Sequence, residues 1–136
     1  MQWTLKSELL SENVFEDYLG FVYLITNTEN GRKYVGKKLF KNTRTKKVKG
    51  RRKRTIKESD WKDYYGSNKE LLDDVKRLGP EKFKREILHL CKSKGECNYL
   101  ELKEQILREV LESEEYYNTW IYVRIHKAHL KRIECY

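Results

Sequence analysis

The chain has 136 residues, of which 30 are Lys or Arg and 21 are Asp or Glu, for a net charge of +9. That length suits a single domain with a modest core, and an aromatic content of 12% with ten Tyr excludes a disordered chain. No apolar run approaches the roughly 18 residues of a membrane span, and residues 1–10 lack the apolar stretch of a secretory leader, so a soluble, cytoplasmic protein is expected.

Residues 1–19 are polar and acidic by turns and read as an N-terminal extension. Residues 21–26 (FVYLIT) form a short β-branched and aromatic run, the pattern of a buried strand. Asn30-Gly31 is a strong hairpin dipeptide, and residues 32–36 (RKYVG) read as the returning strand. From Lys37 to Lys57 there are twelve Lys or Arg and no acid, leaving 18 basic against 21 acidic residues elsewhere. The excess positive charge therefore lies in one basic arm on a mildly acidic body, an arrangement suited to a polyanion. Within it Lys37, Lys38, Arg44, Arg51, Arg52 and Lys53 are the expected phosphate contacts. The arm has no amphipathic stripe, which argues against a membrane surface.

Residues 58–65 are helix-compatible, and Ser67 with Glu70 forms a capping-box pattern before a second helix that stops at Gly79-Pro80. Residues 83–90 (FKREILHL) alternate as a third strand. Ser93 with Glu96 opens a longer helix whose apolar face is read as Tyr99, Leu102, Ile106 and Val110, broadened by Leu100, Leu107 and Leu111. Residues 120–125 (WIYVRI) read as a last strand. The three cysteines, Cys91, Cys97 and Cys135, have neither disulfide-framework nor zinc-site spacing and read as reduced thiols. The expected fold is α+β: a small mixed or antiparallel three-stranded sheet begun by a β-hairpin and flanked by helices.

The hairpin carries Phe21-Val22-Tyr23 after Gly20 on its first strand and Tyr34-Val35-Gly36 on its second, with ten residues between the tyrosines. Downstream come Tyr65-Gly66-Ser67-Asn68, Arg77-Leu78-Gly79, residues 83–88, an acidic helix at 98–110 and Tyr117-Asn118. In this order the motifs resemble the GIY-YIG nuclease family, over about residues 20–120. The resemblance implies a catalytic domain at 20–120 with a basic insertion at 37–57 and a C-terminal tail at 121–136 packed on it. It also implies hydrolysis of phosphodiester bonds in double-stranded DNA with Mg2+ or Mn2+.

By that resemblance Tyr23 is the general base that orients or deprotonates water, and Tyr34 its partner at the phosphate. One carboxylate suffices for magnesium, which keeps waters and substrate phosphates as its other ligands. Glu101 matches the family's Leu-Glu pattern, with Gln105 four residues on. A helical wheel instead favours Glu104, since Glu101 lies opposite the apolar face. We prefer Glu101, because active-site helices depart from simple amphipathicity. The family's arginine before an aromatic residue is missing, since Asp60 precedes Trp61. Its bidentate hold on the phosphate then passes to the arm: Arg54 as the nearest to Trp61, with Arg44 and Arg52 as alternatives. Asn118 is expected to position backbone or phosphate at the site rim, and Arg124, His126 and His129 are either contacts or surface groups.

The leading reading is a DNA endonuclease of phage or mobile-element type, homing- or restriction-like, acting in the cytoplasm of a bacterial host if phage-encoded. With no room for a separate recognition domain, it would rely on the arm, on residues 1–19 and on the tail, or on a homodimer. The alternative is a non-catalytic DNA-binding protein that keeps the nuclease fold.

Overall fold

The computed structural model describes residues 2–6, 8–9 and 13–121, with the backbone alone at 14–15, 43–48 and 53–55. Strands β1 (Trp3–Leu5) and β2 (Glu8–Leu9) precede a helical turn, α1 (Val14–Asp17). The hairpin β3 (Gly20–Asn27) and β4 (Lys33–Leu39) follows, then β5 (Lys41–Val48) and β6 (Arg51–Glu58). Helix α2 (Lys69–Leu78), strand β7 (Phe83–Cys91) and helix α3 (Lys94–Leu107) complete the chain order.

Five strands make one mixed sheet in the order β2-β1-β7-β3-β4, and β5-β6 form a separate two-stranded ribbon. The α+β architecture matches the sequence reading, with two strands more than the three expected. Both extra strands come from residues read as an extension. Trp3 explains why: it is 3% exposed, packs edge-on against Phe21 and Tyr23, and donates its indole N–H to the Trp61 carbonyl at 2.7 Å. One buried tryptophan docks a three-residue strand in parallel beside β7.

β3 is apolar on both faces because both faces are covered. Phe21, Tyr23 and Ile25 enter a core with Trp3, Phe40, Trp61 and the α2 residues Leu71 and Val75. Val22 and Leu24 enter a second core with Val35, Cys91, Cys97 and Val110 beside α3. A bulge in the β3–β7 pairing at Val22/Tyr23 shifts the phase of β7. Ile87 and Leu90, three residues apart, therefore both pack on the first core, and Leu88 and Cys91 on the second.

Three local expectations change. The basic arm is an antiparallel hairpin, with Lys41 opposite Glu58 and Val48 opposite Arg51. Residues 58–65, read as helix-compatible, contain the end of β6 and one 3-10 turn at Trp61–Asp63. The α2 cap is Asn68, not Ser67: its side chain accepts the Leu71 N–H at 3.0 Å. Ser93 caps α3 as expected, accepting the Glu96 N–H at 3.1 Å. The strand expected at 120–125 lies outside the described residues beyond Ile121, and Trp120–Ile121 is not strand. Cys135, Arg124, His126 and His129 also lie outside them. Among the described residues no helix is long and apolar enough to cross a membrane.

Candidate active site at the β4 edge

β4 is the edge strand of the main sheet, and an edge leaves backbone groups unpaired. Here each outward-facing residue finds a partner. Lys33 pairs with the segment at 115–117, its N–H bonding the Glu115 carbonyl at 2.8 Å and its carbonyl accepting the Tyr117 N–H at 2.7 Å. The Val35 N–H donates to Asn118 Oδ1 at 3.1 Å, and its carbonyl accepts Asn118 Nδ2 at 2.8 Å and Gln105 Nε2 at 3.2 Å. The Lys37 N–H donates to the Glu101 carboxylate. The side chains of α3 and of the segment after it thus act in place of a sixth strand.

This arrangement brings two sets of groups together. Tyr34 and Gly36 lie opposite Ile25 and Tyr23 in the β3–β4 register and face the α2 core. Glu101, with Gln105, approaches from α3. They meet with Lys37, Ser67 and Trp120 around one open cleft of about 370 Å³. Gly36 is what permits the meeting, because a Cβ there would lie 2.7 Å from Tyr23 Cζ and closer still to its hydroxyl. Gly66, with φ at +90°, turns the chain so that the Ser67 hydroxyl comes within 3.2 Å of the Tyr34 hydroxyl.

Burial dominates the electrostatics of the cleft. Tyr23 is 1% exposed, and desolvation pushes its pKa well above the ordinary tyrosine value, with Tyr64, Tyr34 and Glu101 adding to the rise. Tyr34 is raised in the same way, opposed by its bond to Ser67. Burial also raises Glu101, and the charge and N–H of Lys37 offset only part of that. Both hydroxyls are therefore neutral in the resting protein, and the carboxylate is short of positive charge. Lys37 itself also donates to the Asn98 side chain.

The oxygen donors here are one carboxylate, three hydroxyls (Tyr23, Tyr34 and Ser67) and the Gln105 amide, and no cluster of three His, Cys, Asp or Glu exists among the described residues. So sparse and hard a set fits a cation such as Mg2+ or Mn2+ that retains most of its waters. It does not fit a tetrahedral zinc centre.

Glu104, favoured by the helical wheel, is elsewhere: its oxygens bond His89 at 2.8 Å and Arg108 at 2.9 Å. The wheel misjudged α3 because Tyr99, Ile106 and Leu107 are exposed, while Cys97 and Gln105 are buried. Asn118 lies buried with its amide committed to the Val35 backbone, which is the backbone-positioning alternative of the two expected for it. It is set there by Tyr117, whose hydroxyl donates to Asp74 at 2.7 Å and accepts from buried Asn27 at 3.0 Å. Lys38 points away, ion-paired with Asp60 at 2.6 Å over the Tyr64 ring.

Among the described residues, none of the ribbon lines the cleft. Arg44, Lys53 and Arg54 lie on it, with Arg54 opposite Thr45 and Arg44 opposite Thr55; their side chains are outside the described set. Arg51 and Arg52 are exposed at its far end. Sequence reasoning had placed Ser67 as a helix cap and Trp120 in a strand. Gln105 was visible four residues, one helical turn, after Glu101.

Residues 3–121 match the family model described as "Putative endonuclease segE, GIY-YIG domain". No curated protein and no solved structure matches the chain.

Proposed function

The chain belongs to the GIY-YIG endonuclease family, and from that premise we propose that it is a metal-dependent DNA endonuclease of phage or mobile-element type. The observation that carries this reading is the convergence of Tyr23, Tyr34, Lys37 and Glu101 on one cleft. A phosphodiester presented there meets an ammonium for its charge and two neutral hydroxyls for its oxygens and the attacking water. Glu101 is the residue that would hold a divalent cation, which when bound supplies Lewis-acid relief to the phosphate. The Tyr23 ring is packed by Trp3 and Phe21 and its hydroxyl lies against Gly36, so the side chain keeps one orientation and its lone pair would hold the water in line. As a neutral hydroxyl Tyr23 cannot accept a proton, so it would first lose its own to solvent as positive charge gathers around the cleft, against the rise that burial imposes. The tyrosinate so formed would then take the water's proton.

The ribbon supports the duplex end of the reading. Eight residues per strand give a reach of about 27 Å at ~3.4 Å per residue, and a two-stranded β-ribbon fits a major groove about 12 Å wide. Its register sets Lys46 opposite Lys53 and Lys47 opposite Arg52. Like charges directly opposite repel, and phosphates between strands of DNA relieve that repulsion.

The test is incubation of the pure protein with supercoiled plasmid, with and without magnesium. Magnesium-dependent nicking is expected. Salt-sensitive binding with no cutting under any divalent metal would instead support a non-catalytic DNA-binding protein, a reading favoured by the absence of any arginine among the described residues that line the cleft.

A further inference from the structure

The chain has three tryptophans, and two of them have plain structural employment. Trp3 and Trp61 are 3% and 4% exposed, and each donates its indole N–H, to the Trp61 carbonyl and to Glu58 Oε1 respectively. Trp120 is 67% exposed. A lone exposed aromatic needs no explanation by itself, but this one borders two cavities at once. On one side is the cleft of Tyr23, Tyr34, Lys37 and Glu101. On the other is a groove of about 410 Å³ lined by Ser67, Asn68, Lys69, Glu70, Asp73 and Thr119. Trp120 and Ser67 are the residues common to both.

The two cavities differ in charge. The cleft has Lys37 beside an incompletely compensated Glu101. In the groove Lys69 is balanced by Asp73, and Glu70 is ion-paired with Arg32. Among the described residues the groove therefore has no surplus cation to hold a phosphate. It suits a neutral, flat group that follows a phosphate seated next door, and its volume lies within the ~300–1,000 Å³ typical of small-ligand sites. A nucleobase attached to the scissile phosphate meets that description, and an exposed indole at the boundary offers it a π-face.

We propose that Trp120 stacks an unstacked nucleobase flanking the cleaved phosphate, seating it in the groove between the catalytic cleft and the start of α2. This rests on the nuclease reading above and adds a substrate-positioning residue to it. Stacking on an aromatic side chain is sequence-tolerant and holds the phosphate in register with Tyr23 and Lys37.

The burial of Trp3 and Trp61 makes Trp120 a built-in probe. The full-length protein is titrated with duplex DNA without divalent metal while acrylamide quenching of tryptophan fluorescence is followed. Plasmid nicking with magnesium is measured in parallel for wild type, Trp120→Phe, Trp120→Leu and Trp120→Ala. DNA should shield the quencher-accessible component, which Trp120→Ala should lack. Trp120→Ala and Trp120→Leu should lose about 5- to 150-fold in kcat/KM, and Trp120→Phe should recover most of it, with all four proteins melting alike. Leucine rescuing as well as phenylalanine, unaltered quenching on DNA binding, or full activity in Trp120→Ala would each overturn the stacking role. Failure of wild type to nick would overturn the nuclease reading instead, and DNA-dependent shielding would still support a base on Trp120.

Discussion

Strands β3 and β4 and the ribbon β5–β6 are consecutive in the chain, yet they are held in opposite ways. In β3 and β4 nearly every side chain is committed: Phe21, Tyr23, Val22 and Val35 to two cores, and the backbone edge to Glu101, Gln105 and Asn118. Among the described residues the ribbon is anchored at its base, where Phe40 packs on Phe21 and Trp61 and the Ser59 N–H bonds the Phe40 carbonyl at 2.8 Å. Beyond that base its register sets cation opposite cation at two positions, Lys46 with Lys53 and Lys47 with Arg52. The first region is organised by packing and sets geometry; the second is organised by backbone pairing and leaves its charges for a partner. Damage to the first should therefore appear in turnover and stability, and damage to the second in affinity and salt dependence.

The largest separation should come from Tyr23→Phe and Glu101→Ala. Each should lower plasmid nicking by about 10²–10⁴-fold, the span of a lost acid–base or charge-stabilising group. DNA affinity measured by fluorescence anisotropy should stay within a few-fold of wild type, and a matching loss of affinity would break the proposed division between the regions. Gly36→Ala comes next. Its Cβ would lie 2.7 Å from Tyr23 Cζ, so overpacking of about 1–3 kcal/mol should appear in urea unfolding, with slowed cleavage as Tyr23 is displaced.

Asn118→Ala strips two hydrogen bonds from the Val35 backbone. It should cost about 1–3 kcal/mol for the buried groups left unpaired, lowering kcat more than KM because β4 carries Tyr34. At the ribbon, Arg51→Ala and Arg52→Ala should each weaken binding by up to about tenfold at moderate salt and flatten the log–log salt slope by roughly one. Thermal stability should be unchanged or slightly raised, since Arg52 lies opposite Lys47 in the strand register.

The smallest effect concerns acid. Burial alone would raise the pKa of Glu104, but the bonds from Arg108 and His89 bring it below the ordinary value. A carboxylate depressed in the folded state stabilises fully above its unfolded pKa of ~4.3, and that stabilisation is lost as pH falls through the folded value. Glu104→Gln should flatten this acid limb of the stability curve while sparing cleavage at neutral pH. Loss of nicking in Glu104→Gln would contradict the choice of Glu101.

Much of this was already legible in the chain. The β3 run, the Asn30-Gly31 turn, the strand at 83–90 and the Ser93 cap are local signals, and each is carried by residues adjacent in sequence. The pairing of Tyr23 with Tyr34 follows from the hairpin, whose register sets Tyr34 and Gly36 opposite Ile25 and Tyr23. The concentration of positive charge at 37–57 was equally plain, because charge is additive along the chain. What tertiary structure alone decided was which face of each element meets what. The apolar pattern of α3 pointed to Tyr99 and Ile106, but that helix lies against an edge strand whose unpaired backbone must be bonded, so it turns Glu101 and Gln105 inward and leaves apolar residues outside. Trp3 became a strand because a pocket among Phe21, Tyr23 and Arg85 awaited it. Asn118 became a substitute strand partner, and Trp120 a wall between two cavities, through neighbours more than fifty residues away in the chain. Helix and strand propensities are settled within a few residues, whereas the satisfaction of an edge and the walls of a cleft exist only once distant segments share the same space.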